Sequence, residues 1–368
     1  MTSRTRLITR RLITRRLILA GLAASVLAPI AALAADAPKV IRIGLPLVGT
    51  GNRPVGGSWN FATVQIKGSL EQEFKADGIR IEWNNFKGAG PALNEAIANK
   101  LIDVFAIGDL PGIVGEASGL KTRLVAADNR RAAYAIGVPA DSQARGIEDL
   151  KGKKVAVFKG TAVQLGFGKF LTRHGLSEKD FKVINMDTNT ATAALATKDV
   201  DAVFTAPSQL FPLEDRGVAK VIYNERQDPA AAADRAQAYM VATEEFEKAH
   251  PDILQRVVNV FVREAAWSAD DKNRTALLQL WAKSGTPYSA YRKDYDGQGF
   301  KDALSPLLDE EFIANIQRNV AESQKLKLVR GNVDAAGWVE RKYLDAALKN
   351  NGLSNFWTPL DAGGKPKK

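Results

Sequence analysis

The chain has 368 residues, and its 45% hydrophobic and 25% charged side chains are typical of a folded globular protein of about two domains, which excludes a disordered or fibrous one. It contains no cysteine, so disulfides, thiolate catalysis and Cys-ligated zinc are excluded, and two histidines leave little for imidazole metal sites or a Ser-His-Asp triad. The formal net charge of +10 is of the kind that nucleic acid or a membrane surface attracts, so its position matters.

The first 34 residues account for much of the positive charge, because they contain six arginines and no acid. An uncharged stretch rich in Ala, Leu and Val runs from Leu17 to Ala34 and ends in the small-x-small pattern Ala32-Leu33-Ala34. A basic segment, an apolar segment and such a cleavage site are typical of a secretory signal peptide. We therefore expect residues 1–34 to be a signal peptide, cleaved near Ala34 or Ala35, and the mature protein to be periplasmic.

The type of export signal stays open. The paired arginines in Thr14-Arg15-Arg16-Leu17 resemble a twin-arginine signal, and a general secretory signal is the alternative. An uncleaved membrane anchor is a further alternative, although Pro29 interrupts the apolar stretch. Without the six arginines the formal charge falls from +10 to +4, and the remaining basic residues are interspersed with acids, which argues against a nucleic-acid partner.

The mature chain begins with alternating strands and helices. Apolar runs predict strands at 40–45, 79–83, 103–107 and 122–127. Apolar residues at helical spacing predict helices at 61–75, 91–100 and 112–119. This repeated βα unit predicts an α/β fold with a parallel sheet covered by helices.

The same pattern restarts in the middle of the chain. Strands are predicted at 155–158, 182–186 and 202–205, with helices at 162–174 and 190–197. Two strand-like segments near Tyr134 and Tyr239, at 132–138 and 236–242, flank this block and are predicted to be the crossings between two lobes. The chain is then mostly helical, with predicted helices at 244–248, 251–267, 275–284, 309–322 and 333–350.

These blocks predict the domain organisation. Residues 36–131 form the first part of lobe 1, residues 135–237 form lobe 2, residues 240–360 return to lobe 1 and add C-terminal helices, and residues 361–368 form a flexible basic tail. A cleft then lies between two sheets. Ligands in open α/β sheets bind outside the carboxyl ends of the strands, so we expect a binding site there.

Gly-rich turns separate predicted strands from predicted helices at several of those strand ends. They are Gly49-Thr50-Gly51, Gly88-Ala89-Gly90-Pro91, Gly108-Asp109-Leu110-Pro111 and Lys159-Gly160-Thr161-Ala162. A helix N-terminus presents free N–H groups and a positive partial charge, and glycine lets a ligand approach the backbone closely, so these turns suit a small anionic ligand. A plain βα turn is the alternative for each of them.

Several short segments also occur in a characteristic order. They are Ile41-Arg42-Ile43-Gly44, the Gly88–Ile97 segment, Leu150-Lys151-Gly152-Lys153-Lys154-Val155, Lys159-Gly160-Thr161, Val200-Asp201-Ala202 and His250-Pro251-Asp252. From about residue 40 to 265 this order resembles the periplasmic substrate-binding proteins of ABC importers in the nitrate/sulfonate/taurine group, the aliphatic sulfonate-binding family. The resemblance implies a type II periplasmic binding protein-like fold, with two parallel or mixed sheets flanked by helices, a hinge and a central cleft.

The resemblance, together with the turns, implies a set of ligand-binding residues drawn from both lobes. They are Thr50, Asn52, Arg53, Gly108, Asp109, Lys159, Gly160, Thr161, Ala162, Ser208 and Gln209. The backbone N–H groups of Thr161 and Ala162 would hold the acidic head group. Sulfonate and taurine binders often follow "V-D-A" with "W-[DE]-P", whereas this chain has Val203-Phe204-Thr205-Ala206-Pro207, so an amino-sulfonate such as taurine is disfavoured.

The predicted function is that of a solute-binding component of an ABC transporter. It would bind a small organic anion, with a sulfonate as the leading class and a carboxylate or nitrate-like ion as alternatives, and deliver it as a monomer to an inner-membrane permease. No catalysis, metal or cofactor is expected. The alternatives are a ligand-sensing protein that serves a receptor, and an enzyme on the same fold resembling a pyrimidine-precursor synthase.

Overall fold

The computed structural model describes residues 37–367, and the predicted signal peptide lies outside the described residues. Within this range, none of the helices combines the length and the apolar character that a membrane span requires. The described chain forms two five-stranded mixed sheets flanked by helices. The predicted α/β fold with two mixed sheets is therefore confirmed.

The first sheet has the strand order β2-β1-β3-β10-β4. Its strands are β1 (Val40–Leu45), β2 (Arg80–Asn85), β3 (Val104–Gly108), β4 (Thr122–Ala132) and β10 (Ala236–Thr243). Strand β1 runs parallel to β2 and β3, whereas β10 runs antiparallel to both β3 and β4. The late strand β10 thus inserts between two early ones. We call this sheet and the helices packed on it lobe 1.

The second sheet has the strand order β7-β6-β8-β5-β9. Its strands are β5 (Ala135–Pro139), β6 (Lys154–Val157), β7 (Lys182–Asn185), β8 (Ala202–Thr205) and β9 (Ala219–Asn224). Strand β6 runs parallel to β7 and β8, and β5 runs antiparallel to β8 and β9. Strand β9 is a half-buried strand that the sequence analysis did not predict. We call this sheet and its helices lobe 2.

Helices cover both sheets. They are α1 (Trp59–Lys67), α2 (Ser69–Phe74), α3 (Ala89–Ala98), α4 (Asp109–Ala117), α5 (Ala162–Arg173), α6 (Thr188–Ala196), α7 (Pro207–Glu214), α8 (Glu244–Ala249), α9 (Pro251–Ala269), α10 (Arg274–Trp281), α11 (Tyr288–Asp294), α12 (Phe300–Ala303), α13 (Glu310–Lys325), α14 (Ala335–Trp338) and α15 (Lys342–Asn350). The apolar face of α9 packs into the lobe 1 core with side chains such as Leu254, Val258 and Phe261.

The structure gives more detail on two predicted segments. The single helix predicted at 61–75 is two helices, because Gly68 adopts a left-handed conformation with φ of 66° and ends α1. The tail predicted to be flexible at 361–368 forms a turn over its described part, in which Asp361 N–H donates to Lys365 O at 2.8 Å and Lys367 Nζ lies 2.5 Å from Glu310 Oε1. These contacts describe the local geometry of the tail, and its flexibility stays a prediction.

The chain crosses between the lobes twice. It leaves β4 for β5 through Ala133 and Tyr134, and it returns from β9 to β10 through residues 225–235. The two crossings are hydrogen-bonded to each other, since Tyr134 N–H donates to Glu225 Oε2 at 2.8 Å and Glu225 N–H donates to Tyr134 O at 2.9 Å. The first crossing lies where the sequence predicts it. The second does not lie near Tyr239, which is buried in the middle of β10.

Candidate functional site

A cavity of about 190 Å³ lies between the two sheets. Its lining comes from the loops that follow β1, β2 and β3 in lobe 1 and β6, β7 and β8 in lobe 2. Representative residues from these loops are Leu47, Phe86, Gly108, Phe158, Asp187 and Ala206. These loops lie at the carboxyl ends of the strands, as expected for a ligand site in open α/β sheets.

The lobes touch each other at the edge of the cavity. A Cβ atom on Gly108 would lie 3.0 Å from Ala162 Cβ, and one on Gly160 would lie 2.9 Å from Pro91 Cγ. Gly160 also has a φ of 74°, which favours glycine at this turn. Asn189 Nδ2 of lobe 2 donates to Gly49 O of lobe 1 at 3.2 Å. The two lobes therefore contact each other directly at the edge of the cavity.

The N-terminus of α5 contributes Thr161 and Ala162 to the lining. Thr161 caps the helix: its Oγ1 accepts from Val163 N–H at 3.2 Å and donates to Phe158 O at 2.7 Å. The first N–H groups of a helix have no partner within the helix, and they carry its positive partial charge. The Thr161 hydroxyl thus orients a helix end whose charge favours an anion.

A polar corner of the cavity forms around Thr286 in the loop before α11. Thr50 Oγ1 lies 3.2 Å from Thr286 Oγ1, and Gln209 Nε2 donates to the same oxygen at 3.2 Å. Ser208 lies beside them at the start of α7, and its N–H donates to Asp294 Oδ2 at 3.2 Å. The structure thus brings Thr50 together with Ser208 and Gln209, although Thr50 lies far from the other two in the sequence.

Five of the predicted residues lie outside the lining: Asn52, Arg53, Asp109, Lys159 and Gly160. Arg53 is exposed and donates to Lys283 O at 3.2 Å, and Lys159 Nζ lies 3.3 Å from Glu178 Oε2. Asp109 is buried at the start of α4 and accepts from Leu110 N–H at 2.7 Å. Burial raises the pKa of Asp109. Thr50, Gly108, Thr161, Ala162, Ser208 and Gln209 do line the cavity.

The sequence analysis missed Arg226, the cationic residue at the start of the second crossing. Its side chain is 7% exposed, lines the cavity and donates from Nε to Asp294 Oδ1 at 2.5 Å. The guanidinium carbon lies 4.5 Å from the centre of the Tyr295 ring. No sequence motif marks Arg226, because the strand that precedes it, β9, was not recognised.

Half-buried aromatic side chains form much of the remaining wall. Trp59 at the start of α1, Phe86 after β2 and Phe158 after β6 all line the cavity. From sequence, Trp59 can stack on a ligand, but a place in the core or at the lobe interface is favoured. The structure places it in the cavity wall, where it also packs against the main core cluster of lobe 2.

Two carboxylates line the cavity, and both already have protein partners. Asp294 accepts from Arg226 and Ser208, as described. Asp187 caps α6 by accepting from Asn189 N–H at 3.1 Å, and its Oδ2 lies 3.9 Å from Lys87 Nζ. Among residues 37–367, no group of three or more His, Asp or Glu side chains is arranged to hold a metal ion.

Two buried acids lie close behind the cavity. Asp128 Oδ1 accepts from Phe61 N–H at 2.9 Å and so fixes the start of α1, and burial raises its pKa to about 7. Burial also raises the pKa of Glu225 to about 7, although the bond from Tyr134 N–H and nearby cations lower it. Both acids therefore change charge near neutral pH next to residues that shape the cavity.

Comparisons with known proteins agree with this architecture. The model of the NMT1/THI5-like family matches residues 74–276, which is more than half of the chain. The chain belongs to the NMT1/THI5-like family. Within it, a Bacillus subtilis (strain 168) protein with the provisional name aliphatic sulfonates-binding protein is 26% identical over 292 residues, or 77% of this chain and 83% of that protein.

Solved structures extend the comparison. The provisionally named sulfonate ABC transporter protein, periplasmic sulfonate-binding protein SsuA, of Methylobacillus flagellatus KT is 32% identical, with a TM-score of 0.72 over 88% of this chain and 98% of that chain. A more distant structural neighbour is the desulfurization enzyme DSZB, which is 17% identical with a TM-score of 0.62 over 85% of this chain and 99% of that chain. The second likeness shows the fold alone.

Proposed function

We propose that the protein is the solute-binding component of an ABC importer, and that it binds a small organic sulfonate and delivers it to a membrane permease. The observation that carries the proposal is the cavity between two α/β lobes, with Arg226 and the α5 N-terminus in a wall that is otherwise largely apolar. The relatives named above as sulfonate-binding support the ligand class.

The sulfonate head group would lie between the α5 N-terminus and Arg226. The N–H groups of Thr161 and Ala162 at the start of α5 supply the donors, because the Val163 N–H already donates to Thr161 Oγ1. Arg226 supplies a full positive charge. Asp294 accepts from Nε, and Arg131 O accepts from Nη1 at 3.5 Å, which leaves the remaining N–H groups of the planar fork for a ligand oxygen. The pairing with Asp294 lets the cation stay buried in the empty site.

Ligand binding would couple to lobe closure. The lining comes from both lobes, so a bound ligand touches both and stabilises the closed arrangement, which shifts the population towards it. Contacts between the lobes add to this, such as Lys169 Nζ on α5 to Asn319 Oδ1 on α13 at 3.0 Å. The permease would then recognise the closed form, and export of the mature chain to the periplasm would place the protein beside it.

The proposal includes no catalysis. The chain has no cysteine, and neither of its two histidines lines the cavity. His174 Nδ1 lies 3.0 Å from Glu148 Oε1 at the far end of α5, and His250 lies at the junction of α8 and α9. The described lining of the cavity therefore contributes neither a cysteine thiol nor an imidazole base, although the chain shares its fold with a desulfurization enzyme.

Calorimetric titration and thermal shift against matched anions test the proposal. Ethanesulfonate with propionate and benzenesulfonate with benzoate are matched pairs, and nitrate and sulfate complete the panel. A sulfonate should raise the unfolding midpoint because it binds only the folded protein. Absence of binding by every sulfonate would reject the ligand class. Cells that lack the permease should not take up the sulfonate, although the protein still binds it. Uptake that does not depend on this protein would favour the sensing alternative.

A further inference from the structure

Trp59 has an unusual backbone for a bulky residue. Its φ is 78°, which lies in the left-handed region that favours glycine. The residue before it, Ser58, is extended, and α1 begins at Trp59 itself. A tryptophan in this conformation is a rare outlier in folded proteins, and such outliers cluster at sites that bind ligands.

The surrounding structure holds Trp59 in this conformation. Asn60 is fully buried, and its Nδ2 donates to Asp128 O at 3.0 Å and to Leu304 O at 3.1 Å. Phe61 N–H donates to Asp128 Oδ1 at 2.9 Å. On the other side, Tyr291 Oη donates to Gly57 O. Because the chain is fixed on both sides, the strained residue between them has a determined position.

The strain does not serve the core of lobe 1. Trp59 begins a lobe 1 helix, yet its side chain lines the cavity and packs against the core cluster of lobe 2. Glycine would fit the backbone better, so local preference argues against tryptophan here. A large side chain kept against that preference and facing the cavity indicates a contact with the ligand.

The cavity suits a flat apolar group beside Trp59. Phe86 and Phe158 add two more half-buried rings to the wall, and aromatic faces bind planar apolar groups well. A protein cavity of about 150 Å³ is enough to bind benzene. The cavity here, about 190 Å³, leaves room for one ring and a small anionic head group.

The charges in the wall disfavour a ligand that carries an ammonium group. Asp294 Oδ1 accepts from Arg226 and Oδ2 accepts from Ser208 N–H. Asp187 accepts from Asn189 N–H and lies 3.9 Å from a lysine. Both carboxylates in the lining are thus engaged with protein donors, so a ligand cation would have to compete for them.

We infer that Trp59 is a specificity-determining residue, and that it selects an aryl sulfonate over short alkyl sulfonates and amino-sulfonates. The aromatic body of the ligand stacks on the Trp59 indole between Phe86 and Phe158, and the sulfonate lies at the α5 N-terminus and Arg226. This inference rests on the proposed function and adds the class of the ligand's apolar part. The backbone strain at Trp59 is retained because the indole is needed at that position.

Titration calorimetry with benzenesulfonate, ethanesulfonate and taurine tests the inference, together with thermal unfolding of the ligand-free protein. Benzenesulfonate should bind the wild type at least about tenfold more tightly than the other two. Trp59→Gly should lose about tenfold in affinity for benzenesulfonate and less than about twofold for ethanesulfonate. Its unfolding midpoint should be near or below that of the wild type, because relief of the left-handed backbone offsets only part of the packing lost with the indole.

Two further variants complete the design. Trp59→Leu keeps apolar bulk without the aromatic face, so its benzenesulfonate preference should fall about fivefold even if Trp59→Gly does not fold. Lys198→Gly relieves a φ of 63° on an exposed residue outside the cavity, and it should leave both affinities unchanged.

The outcomes separate the two levels of the proposal. If no sulfonate binds the wild type, the proposed function fails. If sulfonates bind without an aryl preference, or if Trp59→Leu retains the wild-type preference, the role of Trp59 is overturned and the proposed function stands. Equal losses for benzenesulfonate and ethanesulfonate in both Trp59 variants would also overturn it, because they would indicate a general change of the cavity.

Discussion

The two walls of the cavity differ in how their side chains are held. In the polar wall, Arg226, Asp294 and Ser208 bind one another, and Thr161 binds its own helix end. In the aromatic wall, Trp59 and Phe86 are fixed by packing and by the backbone. This difference indicates that hydrogen bonds preorganise the polar wall before a ligand binds, so that this wall determines which head group is bound. The aromatic wall determines which apolar part of the ligand is accepted.

The largest effect should come from Arg226→Ala. Arg226 and Lys87 are the two cationic residues in the described lining of the cavity, and Arg226 is the one in the polar wall. Affinity for a sulfonate should fall about 30-fold or more, since a hydrogen bond to a charged group contributes about 1.5–3 kcal/mol. Asp294 would also lose its cation while buried, so the unfolding free energy should fall by about 3 kcal/mol. Calorimetry and denaturant unfolding measure the two effects.

Arg226→Lys serves as the control for that variant. It keeps the charge without the planar fork, so both losses should be intermediate. If a folded Arg226→Ala binds sulfonates as the wild type does, the head group lies elsewhere and the contrast between the two walls fails.

The second prediction concerns Glu225, which is hydrogen-bonded to the lining residue Tyr134. Folded Glu225 keeps its proton up to about pH 7, whereas the unfolded residue loses it near 4.5. The folded protein therefore binds more protons between these values, and the unfolding free energy should fall as the pH rises through them. In Glu225→Gln this fall should be smaller by roughly 3 kcal/mol.

Denaturant unfolding at several pH values measures the Glu225 effect. Glu95→Gln, on the exposed side of α3, is the matched control and should keep the wild-type pH dependence. If the pH dependence of unfolding is the same in Glu225→Gln as in the wild type, Glu225 is ionised in the folded protein at pH 5–6. The prediction for Glu225 would then be wrong.

A smaller effect is expected for Thr161→Ala. The loss of the cap should lower the unfolding free energy by about 1 kcal/mol, because Val163 N–H loses its acceptor. Sulfonate affinity should fall about fivefold, as the first turn of α5 loses its fixed orientation. Thr161→Ser retains the hydroxyl and should be close to the wild type in both calorimetry and unfolding. Wild-type affinity in Thr161→Ala would remove the α5 N-terminus from the polar wall.

The smallest effect is expected for Arg53→Ala. Arg53 is exposed and donates to Lys283 O outside the lining, so affinity should change by less than about twofold and stability by less than about 0.5 kcal/mol. Competition titrations with benzenesulfonate and ethanesulfonate check this. A change of selectivity would show that the Arg53 side chain reaches the ligand, as the sequence resemblance implies.

The sequence predicts the frame of this site better than its walls. Strand β1 and the α5 N-terminus at Thr161 follow from apolar runs and from glycine and threonine at a turn, which act locally. Arg226 could not be found in this way, because it depends on the pairing of β9 with a strand far away in the sequence. The residue type of Trp59 favours the core or the lobe interface, and only the three-dimensional structure distinguishes these from a cavity wall.

Gly160 and Pro91 approach each other closely, so the size of residue 160 determines how near the two lobes can come in the ligand-free protein. A methyl group at residue 160 would lie 2.9 Å from Pro91 Cγ on a backbone with φ of 74°. A larger residue at this position would keep the two lobes further apart in the ligand-free protein, without changing the side chains that contact the ligand. The apparent affinity for the ligand would then fall in proportion to the fraction of molecules that adopt the closed conformation. Residue 160 thus offers a way to adjust capture and release without redesigning the binding chemistry.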